Sequence, residues 1–419
     1  MKLFRNRWRP LLSWILLLVI TVQLMALHTQ TVCAADIELE SPSAVLLEAS
    51  TGEVLYEKNA DEQRMLASVT KIMTILLIFE ALETGKIKME DKVSVSEHAA
   101  SMGGSQVFLE AGETQTVQDM LKCIVIASAN DASVAMAEYI AGSETEFVAR
   151  MNEKCKVLGM ENTHFLNCCG LDDEITEGHY SSAKDIAIMS KELITRFPEV
   201  SEYSTTWMDT ITHVTRKGET EFGLTNTNKL IRTYQGITGL KTGSTSKAKF
   251  CLSATATRNG MGLIAVIMGA PTPTVRFKEA AKLLDYGFAN CSLYKDEHED
   301  FVGQYITVTK GKEEQVELMV EEPFTHICFV GESPENISKR IELPEKIEAP
   351  VKSGDKIGKI VYSMNTGEGN ISSDNITQDS IEGVEIGSVP IVAKYDVEKA
   401  TYLDCLEKIA CEFFLEKKG

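Results

Sequence analysis

The chain has 419 residues, 44% of them apolar, so it can bury a substantial core and is too long for one small domain. Its formal charge of −19 repels phosphate backbones and argues against nucleic acid as a partner. Its ten cysteines contain no CxxC pair of the zinc-binding kind, and a chain of this length does not depend on disulfide staples, so mostly free thiols are expected, with no metal and no cofactor.

Residues 1–34 open with Lys2, Arg5, Arg7 and Arg9, continue with an apolar run from Leu11 to Leu27, and lead to small residues at Ala34 and Ala35. This is the layout of a cleaved secretory signal peptide, which places the mature protein outside the cytoplasmic membrane. A retained anchor is the other reading, since the run is near the lower limit for spanning a bilayer.

The segment 35–290 mixes strand-like and helix-like stretches. Two strands are expected around Val45 to Glu48 and Val54 to Glu57, turning at Ser50-Thr51-Gly52. "TKIMTILLIFEALETG" is apolar at helical spacing and closes at Gly85. Further helices are expected over Val117 to Ala127, Ala132 to Ala141, Glu144 to Leu158 and Ala183 to Thr195. "KFCLSATATRNGMGLIAVIMGA" alternates as a hairpin turning at Asn259-Gly260, and "RFKEAAKLLDYGFANC" reads as a helix ending near Gly287. Strands at both ends with helices between predict an antiparallel sheet flanked by helices.

The composition then changes. Residues 291–394 carry short alternating runs separated by Gly and Pro, which predicts a small all-β domain, with "NTGEGNISSDNITQDSIEG" as an exposed loop. Residues 395–419 form an amphipathic helix with Tyr402, Leu406, Ile409 and Phe413 on one face. That face either packs on the β domain or makes a peripheral membrane contact through 396–419; its polar side mixes acids with lysines and is less basic than interfacial helices prefer.

Three short motifs bear on chemistry, and each is weak alone. Ser-x-x-Lys occurs six times, starting at Ser68, Ser181, Ser244, Ser246, Ser292 and Ser353. Ser-x-Asn occurs at Ser128 to Asn130 and again at Ser373 to Asn375; Lys-Thr-Gly occurs once, at Lys241 to Gly243, with a Lys-Ser-Gly variant at Lys352 to Gly354. Order and setting discriminate. Only Ser68 opens a long apolar helix, only Ser128 follows a helical run in the same domain, and only Lys241 precedes an alternating strand. Taken singly, Ser68 reads as a helix N-cap, Ser128 as a cap for the next helix and Lys241 as a solvated surface lysine. A Lys at the third position after Ser68 does not fit a capping box, which wants Glu or Gln.

The order S-x-x-K, S-x-N, K-T-G marks penicillin-recognising serine enzymes. "SAVLLEASTGEVLYEKNADEQRMLASVTKIMT", "IVIASANDASVAMAEYIAGSETEFVARMNEKCKVLGMENTHFLNCCGLDDE", "TNTNKLI" leading to "GITGLKTGST", and "EAAKLLDYGF" together resemble the serine D-alanyl-D-alanine carboxypeptidases, the low-molecular-mass penicillin-binding proteins. The resemblance covers about residues 40 to 290 and continues more weakly through "APVKSGDKIGKIV". It implies an α/β (α+β) β-lactamase or transpeptidase-like domain followed by a β-sandwich, acting in the cell wall on the stem peptide of peptidoglycan and inhibited covalently by β-lactam antibiotics.

Residue chemistry joined to that resemblance assigns roles. Ser68 is the expected nucleophile, and Lys71, one turn on, the base, kept partly neutral by burial, the helix end and a nearby cation, Lys241. Ser128 relays a proton to the leaving amine, while Asn130 holds Lys71 and the substrate amide. Lys241 and Thr242 form a wall for the terminal carboxylate, and Gly243 leaves the strand edge open to substrate. By resemblance, the N–H groups of Ser68 and Ser244 form the oxyanion hole. His164 and His179 have no triad-like setting. Three positions depart from the family: Leu66 stands where proline is usual, Cys168 and Cys169 replace a polar pair, and Lys249 takes a place that is usually glycine. A serine β-lactamase and a non-catalytic peptidoglycan-binding scaffold of the same fold are the alternatives.

Overall fold

The computed structural model describes residues 37–172, 177–215, 218–365 and 383–415. The expected signal peptide, the Ser373 to Asn375 motif and most of the expected loop around it lie outside the described residues. Residue contacts group the chain into residues 1–40 and residues 41–419, and the second unit holds every described helix and strand.

Strands β1 (Ser43–Glu48) and β2 (Val54–Lys58) form the expected first hairpin. Two small ribbons follow, β3 (Lys92–Ser94) with β4 (Thr114–Thr116) and β5 (Met208–Thr215) with β6 (Gly218–Thr225). Three long strands, β7 (Ile237–Thr245), β8 (Lys249–Arg258) and β9 (Met261–Ala270), complete a five-stranded sheet of order β2-β1-β9-β8-β7 in which every neighbouring pair is antiparallel. Asn259 and Gly260 turn β8 into β9 with φ of +50° and +79°, the paired left-handed geometry that favours Asn-Gly in two-residue hairpins. The chain's first strand thus lies inside the sheet, with Val45 opposite Val266 and Leu46 opposite Ala265.

Both faces of β1 are buried, because side chains alternate along a strand and each face meets helices. Val45, Leu47, Ile264 and Val266 join the main core with α1 (Lys71–Glu83), α3 (Val117–Val125), α4 (Asn130–Ala141), α5 (Glu144–Leu158) and α6 (Ala183–Arg196); the short α2 (Glu97–Ala100) and α7 (Val200–Ser204) lie among them. Leu46 and Leu263 instead meet α8 (Pro273–Asn290) at Gly287. That helix does not end at Gly287 as the sequence reading has it. It continues to Asn290, and Gly287 sits inside it because a Cβ there would come within 2.6 Å of Leu263 and 3.0 Å of Leu46. α3 stops two residues short of Ala127, and α4 begins two residues before Ala132.

The all-β part contains β10 (Cys291–Asp296), β11 (Tyr305–Thr309), β12 (Gln315–Val320), β13 (Phe324–Phe329), β14 (Ile337–Glu342), β15 (Lys346–Glu348), β16 (Lys356–Met364) and β17 (Val384–Ala393). Six of these form one sheet, β14-β16-β17-β12-β11-β15, and β10 pairs with β13. Its core centres on Tyr362, whose ring stacks on Phe324 at 3.8 Å while its hydroxyl donates to Asp296 (2.8 Å), so the one polar atom of this buried ring is satisfied. The last helix, α9 (Tyr402–Leu415), exposes Tyr402, Leu403, Leu406 and Ile409, so this part of the apolar face is not packed on the β domain. No described helix is long and apolar enough to cross a membrane. The described cysteines are free thiols, and most are buried.

Replacing Gly287 by Val forces branched methyls into the contact of α8 with β1 and β9. Overpacking of this kind is expected to cost about 1–3 kcal/mol, read as a lower midpoint in guanidinium unfolding than wild type.

Candidate active site

Leu66 is wholly buried, and the chain turns after it through Ala67 at φ +48° into a single 3₁₀ turn, Ala67–Thr70, before α1 begins at Lys71. Ser68 is therefore inside the turn, and it is not the N-cap that it resembles in sequence: no side-chain cap bond is made at either start. The carbonyl of Ala67 abuts Gly170, where a Cβ would lie 1.9 Å from that oxygen. Thr70 Oγ1 donates to Ala67 O (2.8 Å) and so must accept from His179 Nε2 (2.9 Å). His179 Nδ1 in turn accepts from the Leu166 N–H (3.0 Å), which assigns the neutral Nε2–H tautomer. Burial pushes the His179 pKa down to about 4.

Lys71 has no solvent exposure, and its Nζ has three partners: Asn130 Oδ1 at 2.6 Å, the Cys169 carbonyl at 2.6 Å and Ser68 Oγ at 3.1 Å. The first two can only accept, whereas the serine hydroxyl can also donate. A neutral amine has two N–H bonds and one lone pair, so two acceptors and one donor satisfy it in full. Burial lowers the pKa of Lys71 below its usual 10.5. Lys241 is also buried; its Nζ donates to Ser128 Oγ (2.8 Å) and to Thr242 O (3.2 Å). Its pKa is pushed well down, chiefly by burial and then by its basic neighbours Lys71 and Arg276. It is not the solvated surface lysine that its sequence alone suggests.

Ser128 is held at φ +62° and does not cap α4, since the N-cap position falls to Ala129. Asn130 is pinned from the other side: its N–H donates to Ser105 O (2.7 Å) and its Nδ2 to Gly103 O (2.7 Å). Asp131 Oδ2 then accepts from the N–H groups of Val107 and Leu109 (3.1 Å each). The loop 103–109 thus fixes the amide oxygen that Lys71 meets. No motif marked this loop, because its contribution is backbone carbonyls and N–H groups.

Lys241, Thr242 and Gly243 lie on β7, the strand at the sheet's edge. A Cβ on Gly243 would fall 2.6 Å from Leu66 O and 3.1 Å from Ser68 N, so this glycine lets the strand close on the serine turn. That is a different use from the open substrate edge expected of it. Arg276 on α8, missed in the sequence, donates from Nη1 to Gly243 O (3.0 Å) and Cys251 O (3.2 Å) and ties β7 to β8 at this point. Ser244 is exposed, and Thr245 donates to Asp172 (2.5 Å). Thr242 Oγ1 lies 2.6 Å from Thr227 Oγ1.

The departures from the family have structural accounts. Cys168 and Cys169 enter the site through their carbonyls, which accept from Thr74 Oγ1 (2.6 Å) and Lys71 Nζ (2.6 Å), while burial raises the pKa of both thiols. Lys249 takes φ +58°, the left-handed geometry that glycine adopts at no cost. Leu66 is an ordinary core residue.

Comparison with known proteins gives one consistent grouping. The family described as D-alanyl-D-alanine carboxypeptidase matches residues 28–272, and the domain described as penicillin-binding protein 5, C-terminal domain, matches residues 292–399. The chain is 44% identical to D-alanyl-D-alanine carboxypeptidase DacF of Bacillus subtilis, over 89% of this chain and 90% of that one. Among solved structures it is similar to penicillin-binding protein 5 of Haemophilus influenzae, with a TM-score of 0.69 and 31% identity over 87% of this chain and 99% of that one. It is also similar to penicillin-binding protein D2 of Listeria monocytogenes in its ampicillin-bound form, with a TM-score of 0.50 and 33% identity over 60% of this chain and 99% of that one.

The buried neutral His179 has a stability consequence. Its folded pKa of about 4 lies below the unfolded 6.5, so its contribution is full above pH 6.5 and is lost as pH falls toward 4. A His179→Gln variant, which cannot titrate, is expected to lose less melting temperature than wild type over that interval, and the difference corresponds to about 3 kcal/mol at most.

Proposed function

The chain belongs to the D-alanyl-D-alanine carboxypeptidase family, and on that premise we propose that it removes the terminal D-alanine from peptidoglycan stem pentapeptides through an acyl-enzyme on Ser68. Trimming removes the donor for transpeptidation and limits cross-linking. The observation that carries the assignment of roles is the placement of Lys71 Nζ, 3.1 Å from Ser68 Oγ and committed to two oxygens that can only accept. Its remaining valence is a lone pair aimed at the serine hydroxyl.

In this reading Ser68 gives its proton to Lys71 as Oγ attacks the carbonyl of the penultimate D-alanine. The N–H groups of Ser68 and Ser244 receive the developing oxyanion, and the approach of Gly243 to Ser68 N is what brings strand and turn close enough to share it. The proton leaves through Ser128, hydrogen-bonded to Lys241, to the amine of the departing D-alanine. One water then attacks the acyl-enzyme, again losing its proton to Lys71, and the serine is restored. Asn130 orients Lys71, and Lys241 with Thr242 receives the terminal carboxylate. β-Lactams acylate Ser68 by the same route. The β-lactamase and scaffold alternatives are not favoured.

Peptidoglycan lies outside the cytoplasmic membrane, so the activity is extracytoplasmic; residues 1–34 serve as a cleaved signal peptide, and residues 396–419 make a peripheral membrane contact. The exposure of Tyr402, Leu403, Leu406 and Ile409 supports the contact.

Ser68→Ala is expected to abolish both D-alanine release from diacetyl-Lys-D-Ala-D-Ala and labelling by a fluorescent penicillin. Lys71→Arg puts a permanent cation with no lone pair for a proton in place of the neutral amine, so acylation falls by about 10²–10⁴-fold. In wild type, acylation rises with pH to a half-point below the 10.5 of an ordinary lysine. A labelled wild-type-like Lys71→Arg would defeat the assignment of the base. Removing residues 396–419 is expected to move the mature protein from the membrane fraction to the soluble one with D-alanine release retained.

A further inference from the structure

One side chain beside the cleft belongs to none of the three motifs. Thr227 Oγ1 lies 2.6 Å from Thr242 Oγ1, and Thr227 is half-buried between two buried asparagines. Asn226 donates from Nδ2 to Ser204 O (3.1 Å) and Thr206 O (2.9 Å), and its N–H donates to Trp207 O (2.8 Å). Its Oδ1 accepts from the Asn228 N–H (2.9 Å). Asn228 in turn donates from Nδ2 to Gly239 O (3.0 Å) on β7 and accepts from the Leu230 N–H (3.2 Å). The Asn-Thr-Asn triplet is thus fastened at one end to the last residue of α7 and the chain after it, and at the other to the strand that carries Thr242.

We propose that Thr227 is a positioning residue for the terminal carboxylate of the substrate, holding the Thr242 hydroxyl so that the pair presents a donor to an anion. This rests on the function proposed above and extends it to how the substrate's end is selected. Two facing hydroxyls carry two protons, and one proton joins them; the second always remains to be donated elsewhere. A carboxylate only accepts and matches that donor, whereas a carboxamide turns N–H groups toward it. Lys71 is committed to Ser68, Asn130 and Cys169, so Lys241 and the hydroxyl pair are what meet the substrate's end, and of these the hydroxyl pair is the part that depends on Thr227.

The test compares wild type, Thr227→Val and Thr227→Ser on diacetyl-Lys-D-Ala-D-Ala and on the same peptide ending in a carboxamide. Thr227→Val, of equal shape and without the hydroxyl, is expected to lower kcat/KM for the carboxylate peptide about tenfold, mostly through KM, and to leave the carboxamide peptide within about twofold. Thr227→Ser restores the wild-type preference. Should Thr227→Val fail to fold, Thr227→Ala carries the same expectation. An unchanged carboxylate rate, or equal losses on both peptides, overturns the inference and leaves the proposed function intact. A wild-type protein that releases no D-alanine and takes no penicillin label removes the premise, and the inference with it.

Discussion

Lys71 Nζ, without solvent exposure and held between an amide oxygen, a peptide oxygen and a hydroxyl, constrains the elements around it. A charged amine there would need a compensating anion, and the carboxylate whose charge reaches it, Asp131, spends its oxygens on the N–H groups of Val107, Leu109 and Ala132. Burial therefore favours the neutral form, and the neutral form is the one that accepts a proton. Each partner of the amine comes from a different part of the chain: Ser68 from the turn before α1, Asn130 from the start of α4, Cys169 from the loop after α5. Losing the register of any one leaves a buried polar group unpaired, which costs on the order of 1–3 kcal/mol.

Some of the chain's left-handed backbone lies where those parts meet. Ala67, Ser128 and Lys249 all adopt left-handed φ although none is glycine, and the first two directly precede or carry the hydroxyls that meet Lys71 and Lys241. Such geometry persists only where the surroundings over-determine it. At Ala67 the surroundings are Thr70 on one side and Gly170 on the other; at Ser128 they are Lys241 and the helix start that follows. Arg276 and Gly243 do the same for the strand. Glycine allows the approach, and the guanidinium holds the carbonyl that results.

Much of this was legible in the sequence for a physical reason. Periodicity reports burial, so the helices over 117–125, 130–141, 144–158 and 183–196 and the Asn259-Gly260 hairpin stand near their expected bounds. The order of the three motifs selected Ser68 from six Ser-x-x-Lys matches and Ser128 from two Ser-x-Asn matches, and the structure holds these residues in two hydrogen-bonded groups, Lys71 with Ser68 and Asn130, and Lys241 with Ser128 and the Thr242 carbonyl. What stayed hidden acts through backbone atoms or across long sequence separations. Gly287 reads as a helix terminator because its contacts with Leu46 and Leu263 are not local, and Arg276 carries no signal along the chain because its two carbonyl partners lie on two distant strands.

Residue chemistry and spacing along the chain were enough for the kinds of element and the family, and they supply the residues to which the proposed chemistry is assigned. Only the tertiary structure decided that Ser68 lies inside a 3₁₀ turn rather than at a helix cap, that Lys241 is buried against Ser128, that Gly243 makes room for the serine turn, and that Thr227 stands beside Thr242. Each of these depends on which distant segments share a volume from which water is excluded, and hydrogen-bond partners and proton affinities are set by that volume rather than by neighbours in the chain.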